Sequence, residues 1–152
     1  MSATDTAGAS PAAAPGVRSS VYSVLSALLT LLVIVQVFVA GAGLFTMAHQ
    51  LDSGQNYSVS AWTNSAYWGL HFVNALAITV VMLLMLGASF LFRLPARTRK
   101  FTGLLLGLLV LQAVLGFIPW PAPIAALHVL NAFALLAVAG FVMRDNWAFG
   151  RA

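Results

Sequence analysis

The sequence predicts an all-α integral membrane protein: a four-helix bundle built from two repeated helical hairpins. Hydrophobic residues make up 61% of its 152 residues and charged residues only 7%, a balance typical of membrane proteins. Apolar stretches long enough to cross a bilayer fill most of the chain. A short element, HFVNA at residues 71–75, recurs as HVLNA at residues 128–132, with an offset of 57 residues (128 − 71).

We divide the chain into a disordered cytoplasmic tail (1–20), a four-helix transmembrane domain (21–143) and a short cytoplasmic tail (144–152). The first tail is rich in Ala, Ser, Thr, Pro and Gly, a composition that cannot bury enough apolar surface to offset the entropy of ordering. The spans are expected at about residues 21–48, 67–92, 101–118 and 124–143. Prolines between the last two spans remove helical N–H donors and divide one long apolar run.

The basic residues predict the orientation of the spans. With four crossings, all seven Lys and Arg residues fall on the side that holds the two termini and the loop around Pro95. The positive-inside rule therefore predicts a multi-pass plasma-membrane protein with both termini in the cytoplasm. The net charge of +4 belongs to these membrane flanks, so the lipid bilayer, and not a nucleic acid, is the expected partner.

Absent residue types exclude several kinds of site. The chain has no cysteine, which excludes disulfides, iron–sulfur clusters and thiolate metal sites. It has no glutamate, and its three aspartates lie outside the apolar runs, so a proton or cation pathway built on a buried carboxylate is not expected.

His71 and His128 are the strongest candidates for a cofactor site. Each lies four residues into its span, so at about 1.5 Å per residue both imidazoles are expected roughly 6 Å below the outer start of their helices. Two histidines at equal depth on parallel helices suit bis-imidazole ligation of haem b. Zinc fits less well because it usually takes three or four protein ligands. A lone histidine near an interface is more often a packing residue, and the repeat is what favours ligation.

Five small residues are predicted to make room for the porphyrin. They lie one turn below the histidines or on neighbouring helices: Ala75, Ala132, Gly41, Gly43 and Gly116. Close helix packing is the competing explanation for the glycines.

Four amides in the spans are predicted to hold helices together rather than to catalyse. The expected pairs are Asn131 with Gln112 and, equivalently, Asn74 with Gln36. The first and third helices share a looser similarity, in which Gly41 corresponds to Gly116 and the spacing slips by one residue at each step. His49 is expected to face solvent. Four aromatic residues are expected in the outer aromatic belt: Trp62, Tyr67, Trp68 and Trp120.

This pattern, with histidines near the outer ends of helices two and four, resembles one half of the bacterial haem A synthases. Those are eight-helix proteins made of two such bundles, and small actinobacterial-type four-helix proteins related to that half look more similar still. The resemblance covers about residues 21–143 and implies His71 and His128 as axial ligands. Haem A synthases carry a glutamate one turn before the helix-two histidine, where this chain has Trp68, and commonly have cysteines in an outer loop. We therefore assign no catalytic residues.

The expected function is a membrane b-type haem-binding protein that transfers electrons or handles haem. Its partner would be a second copy of the chain or a membrane component of a respiratory chain. Two alternatives remain open: a haem-free accessory or assembly subunit, and a half-size haem A synthase-like protein that acts as a dimer.

Overall fold

The structure of the protein is a computed structural model, and it describes residues 17–55, 58, 63–117 and 121–149. All regular secondary structure in these residues is helical. The four helices are α1 Val17–Asp52, α2 Ala66–Leu91, α3 Ala96–Phe117 and α4 Ala122–Asp145. Each contains a segment long and apolar enough to cross a membrane. The predicted all-α, multi-pass four-helix bundle is confirmed.

The first helix is longer than the sequence suggested. It begins at Val17, inside the region assigned to the tail, and continues past Ala48 to Asp52. It ends where Gly54 adopts a positive φ of 78°, a conformation that stops a helix at little cost for glycine. The predicted disorder of the tail concerns mainly residues 1–16, which lie outside the described residues.

Short turns and caps fix the starts of the other helices. Ser65 caps α2, because its side chain accepts a hydrogen bond from the backbone N–H of Trp68 at 3.2 Å. Arg93 has a φ of 52° in the four-residue connection to α3, which makes α2 and α3 antiparallel neighbours. Pro121 precedes α4, where a missing N–H donor costs nothing.

The helices pack in chain order around a square, with α1 also packed on α4. The helices on each diagonal, α1 with α3 and α2 with α4, therefore face each other across the bundle axis. One end, the basic end, contains the start of α1, the α2–α3 connection and the end of α4. The opposite end, the histidine end, contains His71 near the start of α2 and His128 near the start of α4.

The packed core lies in the half of the bundle nearer the basic end. Its largest fully buried side chains include Tyr22, Leu29, Met82, Met85 and Leu105. In the other half, only Gly43 and Leu115 are buried among the described residues of the four helices between 34–52, 66–77, 109–117 and 122–130. Most of the buried side chains therefore lie towards the basic end, and few lie around the histidines.

Candidate functional site

The two repeated histidines lie side by side at the histidine end. The centroids of the His71 and His128 rings are 6.5 Å apart, and the ring planes are tilted by 46°. Both residues are half-buried. Because α2 and α4 are diagonal helices, the two rings meet across the bundle axis. The predicted juxtaposition of the two imidazoles is therefore present in the structure.

The His128 ring is held by one residue of α3. Its Nδ1 lies 3.1 Å from the backbone oxygen of Gln112, and its Nε2 lies 3.0 Å from the side-chain nitrogen of the same residue. A carbonyl oxygen can only accept, so Nδ1 carries the proton and donates it to this bond. Nε2 then accepts from the Gln112 amide, and its lone pair is the one that could bind a metal.

Gly116 provides the space for the His128 ring. A Cβ atom added at Gly116 would come within 2.9 Å of the ring carbon Cε1 and 3.2 Å of Nδ1. Any larger residue at this position would therefore push the imidazole away from α3. Gly116 was predicted to make room for a cofactor, and in the structure it makes room for the histidine itself.

His71 is held differently. Its ring stacks on the Trp68 ring, with centroids 6.1 Å apart and planes inclined by 18°. Its backbone oxygen accepts a 3.0 Å hydrogen bond from the side chain of Gln36. Among the described residues, no hydrogen bond reaches the ring nitrogens of His71. The backbone at His71 is therefore held by a hydrogen bond, whereas the contacts of its ring within the described residues are those with the Trp68 and His128 rings.

Beneath each histidine, an asparagine clamps its hairpin. Asn74 donates to the Gln36 side-chain oxygen at 2.6 Å, and Asn131 donates to that of Gln112 at 2.7 Å. Each asparagine also donates at 2.9 Å to a leucine carbonyl of the preceding helix, Leu32 or Leu108. Both predicted amide pairs are confirmed.

The clamps also correct the predicted alignment of α1 with α3. Leu32 matches Leu108 and Gln36 matches Gln112, with one offset of 76 residues (108 − 32 and 112 − 36). The equivalent of Gly116 is therefore Ala40 and not Gly41. The sequence comparison was wrong by one residue here because runs of leucine allow several similar alignments.

The remaining predicted site residues have varied surroundings. Ala75 and Ala132 are half-buried, and Gly43 is buried. A Cβ added at Gly41 would meet nothing within 4 Å. Whether these residues line a cofactor stays a prediction. His49 is exposed, as expected. Of the predicted aromatic belt, Trp62 and Trp120 lie outside the described residues.

The donor set suits a group that takes two protein ligands. No cluster of three or more His, Cys, Asp or Glu side chains forms within the described part of the chain. Two imidazoles bound on opposite sides of one metal, at a metal–nitrogen distance of about 2 Å, would have ring centroids roughly 6 Å apart. The observed 6.5 Å is close to that separation. Haem iron takes two axial ligands of this kind, so the number and spacing of the two imidazoles are compatible with this group, with His128 Nε2 occupied here by the Gln112 amide.

One family profile matches the chain. It is described as a family of unknown function (DUF6220), and it matches residues 58–118. The match covers α2, α3 and their connection, and so includes His71 and Gln112 but not His128. No curated protein and no solved structure matches the chain.

Two features of the site were not predicted from the sequence. Gln112 was interpreted as a helix-packing amide only, although its position at the depth of Asn131 placed it within reach of the fourth helix. The stacking of Trp68 on His71 was also missed, although residues three apart on a helix are neighbours on its surface.

Proposed function

We propose that this chain is a membrane b-type haem protein in which His71 and His128 are the axial ligands. The observation that carries the proposal is the 6.5 Å separation of the two rings across the bundle axis. These rings belong to the two copies of one repeated element, and each is placed by the same asparagine clamp. The resemblance of the sequence to half of a haem A synthase points in the same direction.

The haem would supply a one-electron redox centre, and the chain would hold it in the outer half of the bilayer. With both axial positions filled by histidine, electron transfer is favoured over oxygen chemistry. The packed core around Met82 and Met85 keeps water out of the bundle below the site. We propose a quinol or another membrane component, such as one of a respiratory chain, as electron donor, and an acceptor outside the membrane.

The orientation of the protein is part of the proposal. The described Lys and Arg residues lie at the basic end and its flanks, and the histidines lie at the other end. By the positive-inside rule the basic end faces the cytoplasm, with both termini there, and the histidines face the exterior of the plasma membrane.

Visible absorption spectra test the proposal directly. The protein, purified in detergent from cells supplied with haem, should show a sharp α band of low-spin haem b after reduction with dithionite. His71→Ala and His128→Ala should each remove this low-spin spectrum, and His49→Ala, the matched control, should retain it. Full haem occupancy in the double variant His71→Ala, His128→Ala would exclude these ligands. A wild-type chain that takes up no haem, even when hemin is added, would exclude the function.

A second candidate function is a haem-free accessory or assembly subunit. It is favoured by the hydrogen bond between His128 Nε2 and the Gln112 amide, which satisfies this nitrogen without a metal. In the haem protein the amide must release Nε2 before iron can bind. The absence of any haem spectrum, together with co-purification of a defined membrane complex, would favour this second candidate.

A further inference from the structure

We propose that the two histidines are unequal ligands, with His128 as the permanent ligand and His71 as the exchangeable one. A small neutral molecule such as carbon monoxide would take the place of His71 on reduced iron. Since this rests on the proposed haem site, the experiments below separate its failure from the failure of that site.

The first argument is the anchoring of His128. Its Nδ1–H donates to the backbone oxygen of Gln112 at 3.1 Å, which fixes both the tautomer and the ring orientation. This is the arrangement that metal-binding histidines commonly show, and losing such a partner typically lowers metal affinity about 10–100-fold. Gln112 is therefore a positioning residue for His128, and its backbone supplies the interaction.

The second argument is that His71 lacks this anchor. Within the described residues, no hydrogen bond reaches the ring nitrogens of His71. Gln36 donates to the backbone oxygen of His71 instead. Stacking on Trp68 restrains the plane of the ring but does not select the nitrogen that carries the proton. An imidazole without a partner for its second nitrogen is the weaker of two competing ligands.

The third argument is a single methyl group that distinguishes the two hairpins. Gly116 leaves the space in which the His128 ring reaches the Gln112 backbone, and a Cβ there would lie 2.9 Å from the ring. The equivalent position of the first hairpin is Ala40, whose Cβ stands where Gly116 has none. The repeat therefore explains why only one of the two rings is held by the helix beside it.

The Gln112 side chain adds a step to haem loading. Its amide nitrogen donates to His128 Nε2 at 3.0 Å, and its amide oxygen accepts from Asn131 at 2.7 Å. The lone pair that would bind iron is thus covered by a neutral amide, which would have to move aside before iron could bind. A Gln112→Leu variant, which cannot cover Nε2 but keeps the backbone oxygen, should take up hemin faster than wild type.

The decisive experiment compares the two ligand variants by hemin titration of the purified protein. His71→Ala should bind hemin within about tenfold of wild-type affinity, because His128 remains anchored. Its haem should be high-spin, should bind carbon monoxide after reduction, and should return to a low-spin spectrum when imidazole is added. His128→Ala should bind hemin at least ten times more weakly than His71→Ala. If wild type binds hemin and the two variants lose equal amounts of hemin affinity, the proposed inequality of the ligands is wrong, but the haem site itself stands.

The methyl group is tested by a pair of matched variants. Gly116→Ala should weaken hemin binding in the manner of His128→Ala, whereas Ala40→Gly should not weaken it. Nitrogen NMR of labelled histidines in the haem-free protein gives a readout that does not depend on haem. It should show an Nδ1–H tautomer that disappears in His128→Ala and in Gly116→Ala. Finding His128 in the Nε2–H tautomer would contradict the inference, and absence of hemin binding by wild type would exclude the haem site and the inference together.

Discussion

The Asn74 side chain on α2 donates a 2.6 Å hydrogen bond to the side-chain oxygen of Gln36 on α1. The same nitrogen donates to the Leu32 carbonyl one turn earlier on α1. In the second hairpin, Asn131 makes the same two bonds to Gln112 and Leu108. In an environment without water, such amides join helices that apolar contacts alone would join only loosely. The clamp therefore fixes the register of each hairpin and with it the depth of each histidine.

Replacing a clamp asparagine should destabilise the bundle. Asn131→Leu and Asn74→Leu should each lower the free energy of unfolding by about 0.6–2 kcal/mol. The loss should be larger for Asn131, which is only 7% exposed and also supports the residue that holds His128. Unfolding with a denaturing detergent measures these values.

A matched control comes from Thr79, which is exposed and whose hydroxyl donates to the Ala75 carbonyl of its own helix. Thr79→Val should change the free energy of unfolding by less than about 0.5 kcal/mol. An Asn131→Leu variant as stable as Thr79→Val would show that the clamp does not hold the hairpin together.

Much of this architecture could be predicted from the sequence, and the reason is physical. Hydrophobicity and length specify four spans, and the repeated His-x-x-Asn spacing identifies both the rings and the clamps. The alignment of the α1 sequence with the α3 sequence could not be determined, because leucine is equally acceptable at most positions of a lipid-facing helix. The anchoring of the His128 ring also escaped prediction, since it needs the space beside Gly116, which only the packing of α3 against α4 reveals.

The orientation of the chain can be tested with reporter fusions. A reporter after Lys100 and another at the C-terminus should both lie in the cytoplasm, because basic residues are retained on that side. A reporter after Gly54 should lie outside. The fusion after Gly54 also serves as the control for reporter export, and an exterior C-terminus would contradict the four-span orientation.

The basic end allows a comparison of a buried hydrogen bond with a surface ion pair. Tyr22 is 1% exposed, and its hydroxyl lies 2.6 Å from that of Thr102. Tyr22→Phe should lower the free energy of unfolding by about 0.5–1.5 kcal/mol. Asp145 pairs with Arg97 at 3.0 Å, but the Arg97 side chain is 69% exposed.

Asp145→Asn should therefore cost less than about 1 kcal/mol, and high salt should reduce the cost further. Unfolding of both variants at low and high salt provides the comparison. A larger loss for Asp145→Asn than for Tyr22→Phe would show that the ion pair, and not the buried hydroxyl pair, closes the basic end.

Trp68 distinguishes this chain from the haem A synthases that its sequence resembles. Haem A synthases carry a glutamate at the position that corresponds to Trp68. Here an indole ring stacks on His71, 6.1 Å away, and indole offers an N–H donor but cannot accept a proton. Of the carboxylates in the described residues, Asp145 pairs with Arg97 at the basic end, and Asp52 ends α1 without joining a cluster with the two histidines.

We therefore expect that this chain alone does not convert haem O to haem A. Oxidation of a haem methyl group needs an accessible iron site and a group that can balance the developing charge. The neutral indole of Trp68 cannot balance that charge. Trp68→Glu alone should not confer the activity, because a carboxylate at this position does not by itself provide the accessible iron site. The measurement is extraction of haem, followed by mass spectrometry, from a strain without its own synthase that expresses wild type or Trp68→Glu. An eight-helix haem A synthase expressed in the same strain is the positive control. Haem A in cells that express only this protein would show that it is an enzyme and would contradict this expectation.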